Sequence, residues 1–244
     1  MASRIAVITG GGRGIGRAIG LAMAEEGWSI ALCYRTSEKE SHQTQEEIVG
    51  KGVESLAVKC DVADPEQCES FTRQVENEMG RIDALVNCAG PYHRVPLLKE
   101  TPEGWNEMIN ANLHSVFYMS RLVAPGMMEA KWGRIINFSM ANADRMVAQP
   151  SITAHYIAKA GVLILTRTLA KTLGAHNITV NAISPGFVQS GSAPTEELEK
   201  MVKNIPAGYI GHLKDAVSAA KFLLSDESRY VNGTNIHLSG GWGI

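Results

Sequence analysis

The chain has 244 residues, 45% of them hydrophobic, and a formal net charge of −2. This size and composition predict one compact domain spanning residues 1–244, and the near-neutral charge argues against a nucleic-acid-binding protein, which is usually basic. The four cysteines show no spacing typical of a metal site, and no apolar run is long enough to cross a membrane. We therefore expect a cytoplasmic protein with neither a bound metal nor a membrane contact.

Apolar runs alternate with stretches of helical periodicity along the whole chain. Strands are predicted over residues 4–9, 29–34, 54–60, 83–88, 133–138, 178–184 and 235–239. Helices are predicted over residues 14–27, 37–50, 65–79, 102–130, 152–174 and 213–225. This alternation predicts an α/β fold: a single Rossmann-type doubly wound domain with a seven-stranded parallel sheet flanked by helices.

One segment, residues 186–212, interrupts the alternation because it is rich in glycine and proline. It follows the sixth strand, so it is expected near the carboxyl ends of the strands, where open parallel sheets bind ligands. We interpret it as a candidate lid, and an ordinary surface loop is the alternative.

A glycine-rich turn follows the first strand directly. The sequence reads Thr9-Gly10-Gly11-Gly12-Arg13-Gly14-Ile15-Gly16 and then enters a helical stretch. Because glycines lack Cβ, the backbone amides of such a turn can close on a pyrophosphate, and the helix N-terminus adds partial positive charge. The first two elements therefore predict a nucleotide-binding site.

The end of the second strand indicates which nucleotide is bound. An NAD site usually carries an acid there for the ribose 2′-hydroxyl, but this chain reads Arg35-Thr36-Ser37. The guanidinium of Arg35 suits a phosphate, Arg13 can add a second positive charge, and the two hydroxyls can donate hydrogen bonds. We therefore predict NADP(H), with a solvated surface role for Arg35 as the alternative.

Further motifs follow in chain order. They are Asp61-Val62 after the third strand, Asn87-Cys88-Ala89-Gly90 after the fourth, Asn112 in a helix, Ser139 after the fifth strand, Lys159 in the next helix and Pro185-Gly186 after the sixth strand. With the glycine turn, these motifs resemble those of the classical short-chain dehydrogenases/reductases over nearly the full chain.

The resemblance implies a set of cofactor-binding residues, namely Gly10, Arg13, Gly14, Ile15, Gly16, Arg35, Thr36, Ser37, Asp61, Val62, Asn87, Ala89, Gly90, Lys159, Pro185, Gly186 and Val188. It also implies catalytic roles. Ser139 would hydrogen-bond the substrate carbonyl, Lys159 would hold the cofactor ribose and lower a tyrosine pKa, and Asn112 would hold a helix kink and a water that relays protons.

The catalytic helix departs from the family pattern Tyr-x-x-x-Lys. The chain reads His155-Tyr156-Ile157-Ala158-Lys159, so the position four residues before the lysine is a histidine. Either His155 occupies the tyrosine position, or Tyr156 serves with a shorter spacing. Spacing alone excludes neither, and the chemistry of a phenol beside an ammonium gives Tyr156 a slight preference.

The expected activity is NADPH-dependent interconversion of a ketone and a secondary alcohol. The 3-oxoacyl-carrier-protein reductases look nearest, so the expected substrate is a small carbonyl compound, with an acyl-carrier-linked 3-oxoacyl thioester as the first choice. The resemblance also implies a homotetramer. The alternatives are reduction of a cyclic ketone, quinone or pterin-like ring, or a nucleotide-binding homologue that has lost catalysis.

Overall fold

The computed structural model describes residues 3–191 and 195–244. The strands are β1 (Ile5–Thr9), β2 (Ser29–Tyr34), β3 (Ser55–Lys59), β4 (Ala84–Asn87), β5 (Gly133–Phe138), β6 (Ile178–Pro185) and β7 (Asn235–Leu238). The helices are α1 (Gly14–Glu25), α2 (Glu38–Val49), α3 (Pro65–Glu78), α4 (Pro102–Ile109), α5 (Ser115–Ala130), α6 (Thr153–Leu173), α7 (Thr195–Met201) and α8 (Leu213–Leu224). A π-helical turn at Asn110–His114 joins α4 to α5.

The seven strands form one parallel sheet in the order β3-β2-β1-β4-β5-β6-β7. The predicted fold class is therefore confirmed. The chain winds outward from β1 to β3 and then returns to pair β4 with β1. Such a reversal of winding opens a crevice at the carboxyl ends of the strands, which is where doubly wound sheets bind ligands.

Helices cover both faces of the sheet. Ile19 of α1 and Leu223 of α8 belong to the apolar core on one face, together with residues of α2. Phe71 of α3 and Met119 of α5 belong to the core on the other face, together with residues of α6. Every residue of β1, β2, β4 and β5 is buried, as expected for strands covered on both sides.

The predicted strand and helix bounds agree with the structure to within two residues, apart from two segments. The helix predicted over 102–130 is interrupted by the π-helical turn, which inserts an extra residue where the chain reaches Asn112. The segment 186–212 contains α7, which the sequence did not predict, because its glycines and prolines hide one short helical run. Residues 192–194 of that segment lie outside the described residues, and its action as a lid stays a prediction.

Candidate active site

The glycine turn lies between β1 and α1, at the crevice. Gly10 has a φ of +68°, a left-handed conformation that favours glycine. A Cβ on Gly16 would lie 2.6 Å from the carbonyl oxygen of Gly10, so only glycine lets α1 start this close to the turn. The hydroxyl of Thr9 accepts hydrogen bonds from the amides of Cys88 (3.1 Å) and Ala89 (3.0 Å), which ties the end of β1 to the end of β4.

The start of α1 has the features of an anion site. In the part of the chain that the structure describes, no side chain caps this helix, and its first turn holds no acidic residue. The N-cap side chain therefore leaves the first backbone amides to other acceptors, of which the Cys88 thiol takes that of Gly16, and the helix dipole favours a negative group there. Together with the glycines that open the turn, this arrangement fits the pyrophosphate of a dinucleotide.

Arg35 lies on the β2 and β3 side of this crevice. Its guanidinium lies 3.9 Å from the carboxylate of Asp61, which follows β3, and 3.3 Å from the carboxylate of Glu107 in α4. Thr36 is exposed beside it, and Ser37 is partly buried. Asp61 also accepts a hydrogen bond from the amide of Ala63, so its carboxylate is held at the end of β3. A half-exposed guanidinium is the principal cation among these side chains, so they fit a ribose phosphate.

Three predicted catalytic residues meet around the Gly90–Pro91 backbone. The side-chain amide of Asn112 donates to the carbonyl of Pro91 at 3.0 Å and to that of Met108 at 3.0 Å. A Cβ built on Gly90 would lie 2.4 Å from the Oδ1 of Asn112 and 3.3 Å from the Nζ of Lys159. His155 is hydrogen-bonded to the backbone of Pro91. The structure therefore brings Asn112, His155 and Lys159 together at the carboxyl end of β4.

This cluster is buried, and burial controls its charge. The pKa of Lys159 is lowered to about 8, chiefly by burial, and its Nζ donates to the carbonyl of Phe138 at 2.8 Å. The pKa of His155 is lowered to about 3, first by burial and then by the positive charge of Lys159. At neutral pH, Lys159 is therefore mostly an ammonium, and the His155 ring is neutral.

Two polar atoms of the cluster still have hydrogen-bonding capacity. Within the described ranges, the Oδ1 of Asn112 and the Nδ1 of His155 are buried without a hydrogen-bond partner. Unpaired buried polar atoms are uncommon in folded proteins and often mark a place for a ligand or a water molecule. The ring of Tyr92 stands perpendicular to the His155 ring, with 5.1 Å between their centres, and covers it.

Tyr156 and Ser139 are directed elsewhere. The hydroxyl of Tyr156 donates to the carbonyl of Asn142 at 2.7 Å and accepts from the amide of Val147 at 3.0 Å. The hydroxyl of Ser139 donates to the backbone carbonyl of Lys159 at 2.8 Å. Each hydroxyl proton is thus used within the fold. This geometry weighs against the chemical preference for Tyr156, and the active roles of both residues stay predictions.

Of the remaining predicted site residues, some lie at the crevice and others are engaged elsewhere in the fold. Ala89, Pro185 and Gly186 lie at the carboxyl ends of β4 and β6, at the crevice. The side-chain amide of Asn87 instead donates to Asn137 at 2.9 Å, inside the core, so it holds β4 to β5. Val188 is buried and pairs with Gly211. The Asn87 side chain is therefore engaged within the core, and the cofactor-binding role of Val188 stays a prediction.

Three features of the site were not identified from the sequence. Asn112 and His155 both hydrogen-bond to the backbone of Pro91. The only signal for this in the sequence is that Pro91 directly follows Asn87-Cys88-Ala89-Gly90. A π-helical turn places Asn112, where the resemblance implied only a helix kink, and Glu107 pairs with Arg35 across the crevice. A single acid in an amphipathic helix gives no signal in the sequence, because its partner is 72 residues away.

Two negative findings hold for the described residues. The ranges 3–191 and 195–244 hold no helix long and apolar enough to cross a membrane. Over the same ranges, no group of three or more histidine, cysteine, aspartate or glutamate side chains is arranged to hold a metal ion.

The reversed sheet order, the glycine turn and the buried lysine cluster define a dinucleotide-binding α/β protein. A family model described as enoyl-(acyl carrier protein) reductase matches residues 10–243. The 3-oxoacyl-[acyl-carrier-protein] reductase FabG of Staphylococcus aureus (strain Mu50) is 36% identical over 242 residues, which cover 98% of each chain. The chain therefore belongs to the short-chain dehydrogenase/reductase family, as its motifs predicted, and is an oxidoreductase acting on CH–OH and C=O groups.

Two solved structures are similar over nearly the whole chain. A putative short-chain alcohol dehydrogenase from Sinorhizobium meliloti superposes with a TM-score of 0.92 at 32% identity, covering 99% of this chain and 97% of the other. A blue fluorescent protein from a metagenomic library, in complex with NADPH, superposes with a TM-score of 0.92 at 30% identity, covering 100% and 99%.

Proposed function

We propose that this protein is an NADPH-dependent carbonyl reductase that interconverts a ketone and a secondary alcohol, with a 3-oxoacyl thioester as its substrate. The observation that carries the proposal is the buried cluster of Asn112, His155 and Lys159 at the carboxyl end of β4, beside the glycine turn. Similarity to the 3-oxoacyl-[acyl-carrier-protein] reductase of Staphylococcus aureus supports this choice of substrate. Similarity to the metagenomic protein that was solved with NADPH supports this choice of cofactor.

The cofactor is NADP(H), and this chain's own residues fit it. The glycine turn and the start of α1 receive the pyrophosphate. Arg35, with Arg13 at the turn, neutralises the 2′-phosphate, while Thr36 and Ser37 add hydroxyl donors. Asp61 lies at the end of β3, on the adenine side. When bound, the cofactor supplies the hydride for the reduction.

The protein's part in the reaction is to orient the carbonyl and to deliver a proton to its oxygen. Lys159 holds a proton on Nζ at neutral pH, and its pKa of about 8 is close enough to neutrality for release. His155, rather than Tyr156, faces the reacting oxygen, because the Tyr156 hydroxyl already bonds two backbone groups. A neutral imidazole has one ring N–H, so donation to the substrate oxygen requires that His155 release its hydrogen bond to the Pro91 backbone. Asn112, with its unpaired Oδ1, accepts from the water that renews the proton.

Apolar side chains around the crevice support an acyl substrate. Tyr92, Leu97 and Leu98 are exposed on the loop after β4, and Met146 and Val147 are exposed on the loop after β5. The amide of Leu97 donates to the carbonyl of Pro150 at 2.8 Å, so these two loops meet. An apolar rim of this kind suits an alkyl chain, whether the thioester is carried by an acyl carrier protein or by a small thiol.

A panel assay tests the function and its rivals. NADPH oxidation is followed with acetoacetyl thioesters, cyclic ketones, quinones and pterins, each at the same concentration. We expect the highest kcat/KM for the 3-oxoacyl thioester. A higher value for a ring substrate would contradict the substrate proposal but keep the reductase proposal.

One observation favours a second candidate, a nucleotide-binding homologue without catalysis. Neither Ser139 nor Tyr156 directs its hydroxyl proton outward, so a reductase that depends on hydroxyl donors would be inactive. Tight NADPH binding measured by calorimetry, together with no turnover anywhere in the panel, would support this candidate and overturn the first.

Homotetramer assembly and a cytoplasmic location are the remaining parts of the proposal. Phe117 on α5 and Ile157 and Ile164 on α6 are exposed apolar residues on the two long helices. Large exposed apolar side chains on adjacent helices are typical of surfaces that pack against a second copy in a two-fold interface.

A further inference from the structure

The guanidinium of Arg35 is paired with two carboxylates. It lies just after β2 and reaches the carboxylate of Glu107 in α4, at 3.3 Å, where it also makes a hydrogen bond. Its contact with Asp61 is longer, at 3.9 Å. All three side chains are a third to a half exposed, so the guanidinium can exchange these partners without unfolding anything.

The Arg35–Glu107 pair crosses the nucleotide crevice. In the sheet order, β2 and β3 lie on one side of β1, and β4 lies on the other. Arg35 and Asp61 follow β2 and β3, whereas α4 comes after β4 in the chain. The pair therefore joins the two sides of the crevice over the strand that leads into the glycine turn. An adenosine 2′-phosphate that takes the Nη1 donor of Arg35 displaces the Glu107 carboxylate from it.

We propose that Glu107 determines cofactor affinity by holding Arg35 across the crevice and by competing with the 2′-phosphate for it. This inference rests on the proposed use of NADP(H). The phosphate carries nearly two negative charges at neutral pH, so it outcompetes one carboxylate for the guanidinium. Once displaced, the Glu107 carboxylate stays near that phosphate and repels it. NADH has no 2′-phosphate and gains nothing when Arg35 is released.

The size of the effect follows from the exposure of the pair. Half-exposed ion pairs contribute little in water, and removing one changes an equilibrium by about two- to fivefold. Glu107→Gln should therefore lower the Kd for NADPH about two- to fivefold and leave the Kd for NADH unchanged. The same substitution should lower the Kd for adenosine 2′-monophosphate, a probe that carries the phosphate without the nicotinamide.

Calorimetric titration of the full chain with these three probes tests the inference at fixed salt. Glu129→Gln is the matched control because it removes the same charge at an exposed position. Glu129 lies at the end of α5, which leads into the amino end of β5, and that end of the sheet is opposite the crevice. We expect the control to bind like the wild type. Unchanged or weaker NADPH binding by Glu107→Gln would overturn the inference.

A double substitution separates competition for Arg35 from simple repulsion. With Arg35→Ala already present, Glu107→Gln should no longer tighten NADPH binding to the same extent, because nothing is left to be released. An equal tightening in both backgrounds would overturn the competition. If the wild type binds NADH and not NADPH, the proposed cofactor fails as well. If it binds NADPH well and Glu107→Gln has no effect, only this inference fails.

Discussion

Removal of the Tyr156 hydroxyl should lower the free energy of unfolding and leave the catalytic rate nearly unchanged. In Tyr156→Phe, the carbonyl of Asn142 and the amide of Val147 lose the group that now bonds both, at 2.7 and 3.0 Å. Leaving buried backbone groups unpaired costs about 1–3 kcal/mol. For a chain of this size, that corresponds to a fall in Tm of about 2–12 °C. The loop between β5 and α6 should loosen, while kcat for carbonyl reduction should change less than about tenfold.

Thermal unfolding and initial rates of NADPH oxidation, measured on the same samples, test this prediction. Tyr230→Phe is the control, because Tyr230 is 99% exposed and its hydroxyl loss should change neither quantity. His155→Phe is the comparison and should lower kcat by a factor of about 100 or more. A fall of that size in kcat for Tyr156→Phe, with Tm unchanged, would show that Tyr156 is the proton donor. It would refute the assignment of His155 to the reacting oxygen.

Four further predictions concern cofactor binding, the residue at position 155, the pH dependence of stability and assembly. Arg35→Ala should weaken NADPH binding about tenfold or more by loss of a charge-assisted hydrogen bond, with NADH nearly unaffected, and a wild-type preference for NADH in titration would contradict the argument. His155→Tyr restores the family spacing to Lys159 and should raise kcat, and an unchanged kcat at unchanged Tm would count against position 155 as the one at the reacting oxygen. Because the pKa of His155 falls to about 3 in the folded protein, the unfolded chain binds more protons between pH 3 and 6.5. Stability should therefore fall as pH drops through that range, by up to about 1.4 kcal/mol per pH unit, and His155→Gln should flatten the dependence of Tm on pH. Light scattering at micromolar concentration should give a tetramer mass, and a monomer mass would contradict the proposed packing of α5 and α6.

Most of the fold was predictable because its signals are local. Buried parallel strands give short apolar runs, and Asp64-Pro65 marks the start of α3 through hydrogen bonds from its own first turn to the Asp64 carboxylate, at 2.9 and 3.3 Å. The glycine turn is equally local, since strand, turn and helix are consecutive in the chain. By contrast, α7 lies in a segment whose glycines and prolines mask a short helical run.

The active site was predictable as a set of residues but not as an arrangement. Sequence spacing placed His155 and Tyr156 on nearly the same side of α6 as Lys159, about 40° and 60° around the helix. The choice between them depends on what surrounds the helix. The loop containing Asn142 and Val147 takes the Tyr156 hydroxyl, and the Pro91 backbone meets His155. These contacts join α6 to loops that come before it in the chain, and no helical periodicity encodes them.

Isotope transfer tests the central claim, hydride reduction of a carbonyl at this site, most directly. NADPH deuterated at C4 of the nicotinamide ring is incubated with the wild-type protein and a 3-oxoacyl thioester, and the product is analysed by mass spectrometry. We expect a 3-hydroxyacyl thioester with one deuterium on the carbinol carbon, formed far more slowly by His155→Phe than by Tyr156→Phe. Recovery of unreduced thioester from a sample that binds NADPH tightly would contradict it.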